Sequence, residues 1–340
     1  MPVSTLVEEG RAILAEGVRY VVDAMVPDYG MLGFLVGYAK VGKSTLGVAL
    51  VRAVSGSAGE FLGRAVSKRR VLYLALEDPR EYLAWMMARS LAGTEDALAY
   101  PGSLVLDEPT LAGLETFVRR EGVGLIYVST FTAGVRGLVR DENDNAQLTG
   151  VVESLKGFTR RAGVPALLEA HSGKGEDQSP DADPVRALRG ASAAAAAADF
   201  VLSLKRDGRG LTTRRVLSGG GRFVNFPPLA FDYDAQTGHV ECLGSQKSAG
   251  AETTWRLIQE VGALSAEERS ASAIAKAAGM TDNSGSRAMV RAALDDRHGV
   301  ERITKYQGTK TVVYFRLSDE AVTDPGATKC PPLGFVGAKR

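Results

Sequence analysis

The stretch Gly37-Tyr38-Ala39-Lys40-Val41-Gly42-Lys43-Ser44-Thr45 constrains this chain more than any other. An apolar run, Met31 to Val36, leads into it, and Leu46 to Val54 follows with helical spacing. Strand, glycine-bounded loop, then Gly-Lys-Ser opening a helix is the order of a phosphate-binding P-loop. The glycines let the backbone curl so that successive N–H groups face phosphate oxygens, and the helix N-terminus adds partial positive charge. The pattern predicts that ATP binds along Gly37 to Thr45. Lys43 would reach the β- and γ-phosphates, and the Ser44 hydroxyl would ligate Mg²⁺. An ordinary strand–turn–helix needs neither the glycine spacing nor the Lys-Ser pair.

The remaining strands extend this into an α/β fold. Val71 to Leu76 is apolar throughout, as in a parallel strand covered on both faces. It ends at Glu77, where open α/β sheets bind ligands. The spacing suits a strand beside the P-loop strand, with Glu77 either orienting the attacking water or capping the next helix, and the strand-end position favours the first. Val123 to Val128 ends at Ser129, which accepts a hydrogen bond from a metal-bound water but carries no charge. Asp141 or Asp144 in the following polar loop would supply charge, unless that loop only caps the helix Leu148 to Arg161. Pro165 to Ala170 ends at His171, either a sensor of the γ-phosphate or a surface histidine, and the strand-end position favours the first. Gly175 to Val185, rich in Gly, Asp, Ser and Pro, reads as a mobile loop of the kind that in a ring ATPase can face the central channel. Phe200 to Leu204 is a further strand. Lys205, Arg206, Arg209, Arg214 and Arg215 gather around the next hairpin, where they would reach a neighbour's nucleotide, DNA phosphates or only solvent. Val216, Phe223 and Phe231 mark more strands, and Leu6 to Met25 reads as one or two helices packed ahead of the first core strand.

Asp107-Glu108-Pro109-Thr110, after a short strand Ser103 to Leu106, and Leu217-Ser218-Gly219-Gly220 look like the two motifs of an ABC transporter ATPase. Their order is the reverse of what that fold requires, so both are coincidences.

The chain has 340 residues, 45% hydrophobic and 24% charged, which fits a globular protein of two domains. A net charge of +1 excludes a strongly basic nucleic-acid coat but leaves room for a local basic groove. Two cysteines, Cys242 and Cys330, are too few and too far apart for a disulfide framework or a zinc site. No signal-peptide pattern and no apolar run of about 18 residues is present, so the reading is a cytoplasmic protein with no membrane partner.

Composition shifts at a Gly/Ser/Ala stretch. The expected organisation is an ATPase domain over 1–245, a linker over 246–253, a small α+β domain over 254–317 and a disordered tail over 318–340. In the small domain Trp255, Ile258 and Val261 share one face of a first helix. A short helix spans Ala273 to Met280. A third, Ser286 to Asp296, turns Met289, Val290, Ala293 and Leu294 inward and Arg287 and Arg291 outward. Two strands, Val300 to Lys305 and Thr311 to Leu317, complete a winged helix. Arg287 and Arg291 would enter a duplex groove while Lys305 and Lys310 of the wing meet phosphates. The same module serves elsewhere as a protein-docking unit, and the charge balance is only slightly positive.

Taken together, these residues resemble the RecA-like ATPases of the RepA-like (AAA_25) group, which includes hexameric plasmid replicative helicases and many phage or mobile-element ATPases. The resemblance runs from about Tyr20 to Phe223. It rests on Gly37 to Thr45, Val71 to Asp78, Asp141 to Asn145, and Ala170 to Lys174 followed by Arg189-Gly190. It implies a RecA-like P-loop core with ATP between subunits of a homo-oligomeric, hexameric ring. Lys43 and Ser44 match the P-loop residues, Glu77 the water-activating glutamate and His171 the strand-end histidine. A trans-acting arginine is implied near Arg206. Ser129 departs from the group's usual Asp, which bears on hydrolysis more than on binding. The expectation is an ATP- and Mg²⁺-dependent DNA motor, helicase or loader for replication of a mobile element, gripping single-stranded DNA. The rival is a slow or non-hydrolysing ATP-dependent DNA-binding switch. A strand-exchange protein is weaker, for want of a dedicated second DNA-binding domain at the N-terminus.

Overall fold

Strands apolar on both faces must be covered on both faces, and this chain supplies helices for each. The computed structural model describes residues 2–90, 96–139, 145–172, 197–207, 213–234, 237–265, 267–295, 300–307 and 310–317. It divides into two units, Met1–Cys242 and Leu243–Arg340.

In the first unit α1 (Val3–Glu16) ends at Gly17, and a small antiparallel pair follows, β1 (Tyr20–Val22) and β2 (Val26–Pro27). The P-loop strand β3 (Leu32–Gly37) leads to α2 (Lys43–Ser55). Next come a tiny ribbon of β4 (Glu60–Phe61) and β5 (Arg64–Ala65), then β6 (Arg70–Ala75), α3 (Arg80–Ser90), β7 (Ala97–Pro101) and α4 (Glu108–Glu121). These are followed by β8 (Val123–Ser129), the one-turn α5 (Phe131–Gly134), α6 (Asn145–Ala162) and β9 (Ala166–His171). The last strands are β10 (Phe200–Arg206), β11 (Arg215–Gly221), β12 (Val224–Tyr233) and β13 (Val240–Ser245), which runs across the division between the units at Cys242. Nine strands form one mixed sheet in the order β13-β12-β11-β10-β3-β9-β8-β6-β7. The segment from β10 to β7 is parallel, and β10, β11 and β12 pair antiparallel.

Alternation along the strands sorts their side chains into two cores. Leu35, Tyr73, Ala75, Tyr127 and Leu167 join α2 and α3 on one face. Phe34, Val36, Leu72, Leu74, Ile126, Val128 and Leu168 join α4 and α6 on the other. This phase has a functional result. Gly37, Glu77, Ser129, Glu169 and His171 continue the first series, so they fall on the α2 face where the strands end. The start of β3 is fixed by buried Asp199, whose carboxylate accepts from Leu32 N at 3.1 Å and Arg222 Nη1 at 2.8 Å.

The second unit contains α7 (Gln246–Glu260), β14 (Arg269–Ser270), α8 (Ala271–Ala277), α9 (Ser284–Leu294), β15 (Val300–Gln307) and β16 (Lys310–Leu317). Its antiparallel sheet has the order β14-β16-β15. Ile258, Leu264, Ile274, Val290, Leu294 and Phe315 form its core. Ser270 caps α8 and Asn283 caps α9 through side-chain acceptors.

Several sequence expectations are corrected. The strand ending near Glu77 is not beside the P-loop strand, because β9 and β8 lie between β3 and β6. Helix α1 has no buried residue, and the β-branched run after Gly17 makes a strand instead of continuing it. Leu104 to Leu106 is irregular, and Asp107 is the N-cap of α4, accepting from Thr110 N at 3.0 Å, so the transporter-like motif is a helix start. Phe223, with φ of +60°, turns the chain between β11 and β12. The expected linker 246–253 lies within α7, because Gln, Lys, Ala and Glu are good helix formers that outweigh one glycine. Val261 and Met289 are exposed, leaving Ile258 and Val290 to face the core. The loops around Asp141 and Asp144 and around Gly175 to Val185, with Arg189, Arg209 and the tail, lie outside the described residues.

Candidate nucleotide-binding site

The loop between β3 and α2 takes its shape from two left-handed residues, Lys40 at φ +60° and Gly42 at φ +105°. Gly42 is the N-cap of α2 and has no side chain to cap it, and the first turn carries no acidic residue. The helix N-terminus therefore keeps its donors and its partial positive charge for an anion. Lys43 is buried, and its Nζ donates to Gly37 O at 2.9 Å and Tyr38 O at 3.1 Å. The same ammonium lies 3.2 Å from His171 Nδ1. An ammonium only donates, so Nδ1 is the acceptor and the ring proton sits on Nε2. Burial and then Lys43 push the His171 pKa down, which keeps the imidazole neutral. Burial lowers the Lys43 pKa too, opposed by the Glu169 and Glu77 carboxylates.

Beside Lys43, Ser44 Oγ donates to Glu169 Oε2 at 3.0 Å. Glu169 sits on β9 opposite Leu35 of β3 and is 1% exposed. Its second oxygen accepts from the Tyr127 hydroxyl at 2.8 Å, and Ser129 on β8, itself buried, is near enough to favour its charged form. Burial pushes the Glu169 carboxyl up to about 7, against the opposing pull of Tyr127, Ser44, Lys43 and Ser129. Tyr127 occupies the space beside Gly47 of α2, where any Cβ would overlap the ring and its hydroxyl. This explains a glycine in a helix interior, where it costs about 1 kcal/mol relative to alanine. Two strands further over, the exposed Glu77 accepts from Thr130 Oγ1 at 2.9 Å through Oε2. Burial, then Glu77, raises the pKa of its neighbour Asp78.

On the opposite flank the β10–β11 hairpin supports the loop from below. Arg215 is buried, donates from Nε to Val41 O at 2.6 Å and packs its guanidinium 4.8 Å from the Tyr233 ring centroid. Arg206 Nη2 donates to Lys40 O at 3.2 Å. These two guanidinium groups hold the carbonyls of Val41 and Lys40.

These donors suit a nucleotide with Mg²⁺. The hydroxyl of Ser44 and the carboxylates of Glu169 and Glu77 are hard oxygens. No group of three or more His, Cys, Asp and Glu able to hold a metal occurs among the described residues. An ion bound here would be shared between protein, phosphates and water.

Residues 5–177 match the AAA_25 family, described as an AAA domain. The chain belongs to the AAA_25 family. No curated protein matches it significantly in sequence. Among solved structures, one described as an ATPase domain superposes with a TM-score of 0.51 at 11% identity, over 70% of this chain and 96% of that one. A KaiC-like protein from the hyperthermophilic archaeon Pyrococcus horikoshii OT3 gives 0.48 at 12%, over 66% and 99%. The AAA_25 core is a RecA-like P-loop fold.

Within this AAA_25 fold, Lys43, Ser44 and His171 come together, with Glu77 near enough to act on the charges of Lys43 and His171. Ser129 is buried against Glu169. Arg206, expected to act on a neighbour, reaches the loop of its own chain. In the second unit Arg287 and Arg291 are exposed on α9, and Arg287 lies 3.5 Å from Asp282. Lys305 is ion-paired with Glu268 and lies 5.7 Å from the Tyr314 ring centroid. Lys310 is described only by its backbone, paired with Gln307 across the hairpin. Sequence reasoning missed Glu169, Tyr127 and the loop-supporting contact of Arg215. The available signal for Glu169 was a lone carboxylate inside an otherwise apolar strand.

Proposed function

We propose that this AAA_25 protein binds and hydrolyses ATP with Mg²⁺ as a RecA-like DNA motor or loader in the replication of a plasmid, phage or other mobile element. The observation that carries the reading is the convergence of Lys43, Ser44, Glu169, His171 and Glu77 where the parallel strands end. Lys43 exchanges its contacts to Gly37 and Tyr38 for β- and γ-phosphate oxygens. Glu77, exposed at the strand end, orients the attacking water, and Thr130 aims its carboxylate. Mg²⁺, when bound, neutralises charge developing on the phosphates. Neutral His171, released when Lys43 moves, donates from Nε2–H toward a γ-phosphate oxygen. A neighbouring copy in a hexameric ring supplies an arginine, and the ring encloses single-stranded DNA.

The second unit is read as a winged helix that meets duplex DNA through Arg287 and Arg291. Three helices followed by a hairpin, with both arginines exposed on the third helix, support this. The wing's Lys305 must first leave Glu268.

Lys43→Ala is expected to lower ATP turnover by at least about 100-fold, since it removes a preorganised positive charge at the transferring phosphate. Single-stranded DNA is expected to stimulate wild-type turnover. Steady-state phosphate release with and without single-stranded DNA measures both, and wild-type turnover that no DNA stimulates would sink the motor. Ser129 favours a second reading, an ATP-dependent DNA-binding switch. Tight ATP binding with turnover at background selects it.

A further inference from the structure

P-loop ATPases commonly hold their metal through the loop hydroxyl and a carboxylate at the end of a nearby strand. In this chain the end of β8 offers Ser129, which is neutral. The carboxylate that meets the loop hydroxyl is on another strand. Glu169 Oε2 accepts the Ser44 proton at 3.0 Å, and Oε1 is held by Tyr127 at 2.8 Å. We propose that Glu169, on β9, is the carboxylate of the metal side of this site, taking over from β8 the task of orienting Ser44, the residue that would hold Mg²⁺, and of placing negative charge beside it.

Three features support the transfer. The first is orientation. A serine that gives its proton to Glu169 turns its lone pairs away from that carboxylate, toward the loop and the phosphates. The second is cost. Burying a carboxylate costs several kcal/mol even after relaxation. Glu169 stands in a strand whose neighbours Leu167 and Leu168 fill apolar cores. Leucine would satisfy the packing there without that cost, while only an acceptor satisfies Ser44. The third is geometry across the sheet. Val128 pairs with Leu168, so Ser129 and Glu169 follow side by side on adjacent parallel strands. Moving the charge from position 129 to 169 brings it one strand, about 4.8 Å, nearer β3. The neutral hydroxyl at 129 then favours the charged form of the carboxylate at 169. An aspartate at 129 would face Glu169 as a like charge, which disfavours ionising both. Serine at 129 and glutamate at 169 are therefore one arrangement. Glu169 is a positioning residue, since it acts on the metal side through Ser44.

This inference rests on the nucleotide-site reading, and the test separates the two. The full-length chain is titrated with a fluorescent ATP analogue in Mg²⁺ and in EDTA. Mn²⁺ affinity of the nucleotide complex is read by electron paramagnetic resonance. Glu169→Gln is expected to weaken Mn²⁺ in the complex by about 10- to 100-fold, the usual loss when an outer partner of a metal ligand is removed. Ser129→Asp alone is expected to weaken it too, through repulsion. The double variant Ser129→Asp/Glu169→Gln is expected to recover to within about threefold of wild type, a rescue that a purely structural role for Glu169 would not produce. Mn²⁺ affinity in Glu169→Gln equal to wild type overturns the inference. Should the single variant not fold, the double variant decides: metal-dependent binding supports the transfer, and its absence overturns it. A wild-type chain that binds no nucleotide overturns the nucleotide site itself.

Discussion

At the residue scale, Glu169 ties the pH dependence of stability to the site. Its carboxyl is raised from 4.5 to about 7 in the folded chain, so the folded state holds the proton more tightly than the unfolded state. That contribution is fully present below pH 4.5 and is lost as pH rises through about 7. It amounts to about 3 kcal/mol. Without nucleotide, wild type is therefore expected to lose stability relative to Glu169→Gln between pH 5 and pH 8. Urea midpoints of both proteins at the two pH values measure this, and a difference that does not change with pH would remove the burial argument. Lys43, Ser44 and His171 were legible in the sequence because motif spacing and strand ends locate them. Glu169 was not, because a carboxylate in a strand reads as an exposed position until the neighbouring strands are known to cover it.

At the element scale, the β10–β11 hairpin is part of the loop's geometry although it follows the loop by more than 150 residues in sequence. Arg215 reaches Val41 O and the Tyr233 ring together, a planar fork that lysine does not reproduce. Arg215→Lys is expected to weaken nucleotide affinity by about tenfold, with the larger loss in Arg215→Ala. Calorimetric titration measures it, and an unchanged affinity in both variants would show that the loop holds its shape alone. The parallel strands were legible as elements because both-face burial leaves continuous apolar runs such as Val71 to Leu76. Their order was not, since nothing in one strand's composition says that β9 and β8 separate it from β3. The first half of helix α7 reads as a linker from sequence, because small residues look alike in loops and in helices, whereas its second half, with Trp255 and Ile258, reads as a helix.

At the scale of the whole molecule, Glu77 is exposed at its strand end, and the arginine expected there from a neighbour is engaged with its own loop. A ring in which each subunit completes the next subunit's site predicts that assembly depends on nucleotide. Light scattering of the full chain is expected to show a hexamer with ATP, Mg²⁺ and single-stranded DNA, and smaller species without nucleotide. A monomer under all conditions would remove the intersubunit site. What sequence reasoning offered about partners came from resemblance, because contacts between chains leave no periodic signal within one chain.

Gly47 and Tyr127 show how far the site reaches into the sequence. A methyl group at 47 and a tyrosine hydroxyl at 127 claim the same volume, and that hydroxyl holds Glu169. The two positions are thus free to vary only as a pair. Among descendants of this sequence, alanine at 47 is compatible with a residue at 127 small enough to withdraw from the helix, and such a lineage gives up the hydroxyl anchor of its carboxylate. The history of two core positions, neither touching a phosphate, would then record whether a lineage still keeps its charge on β9.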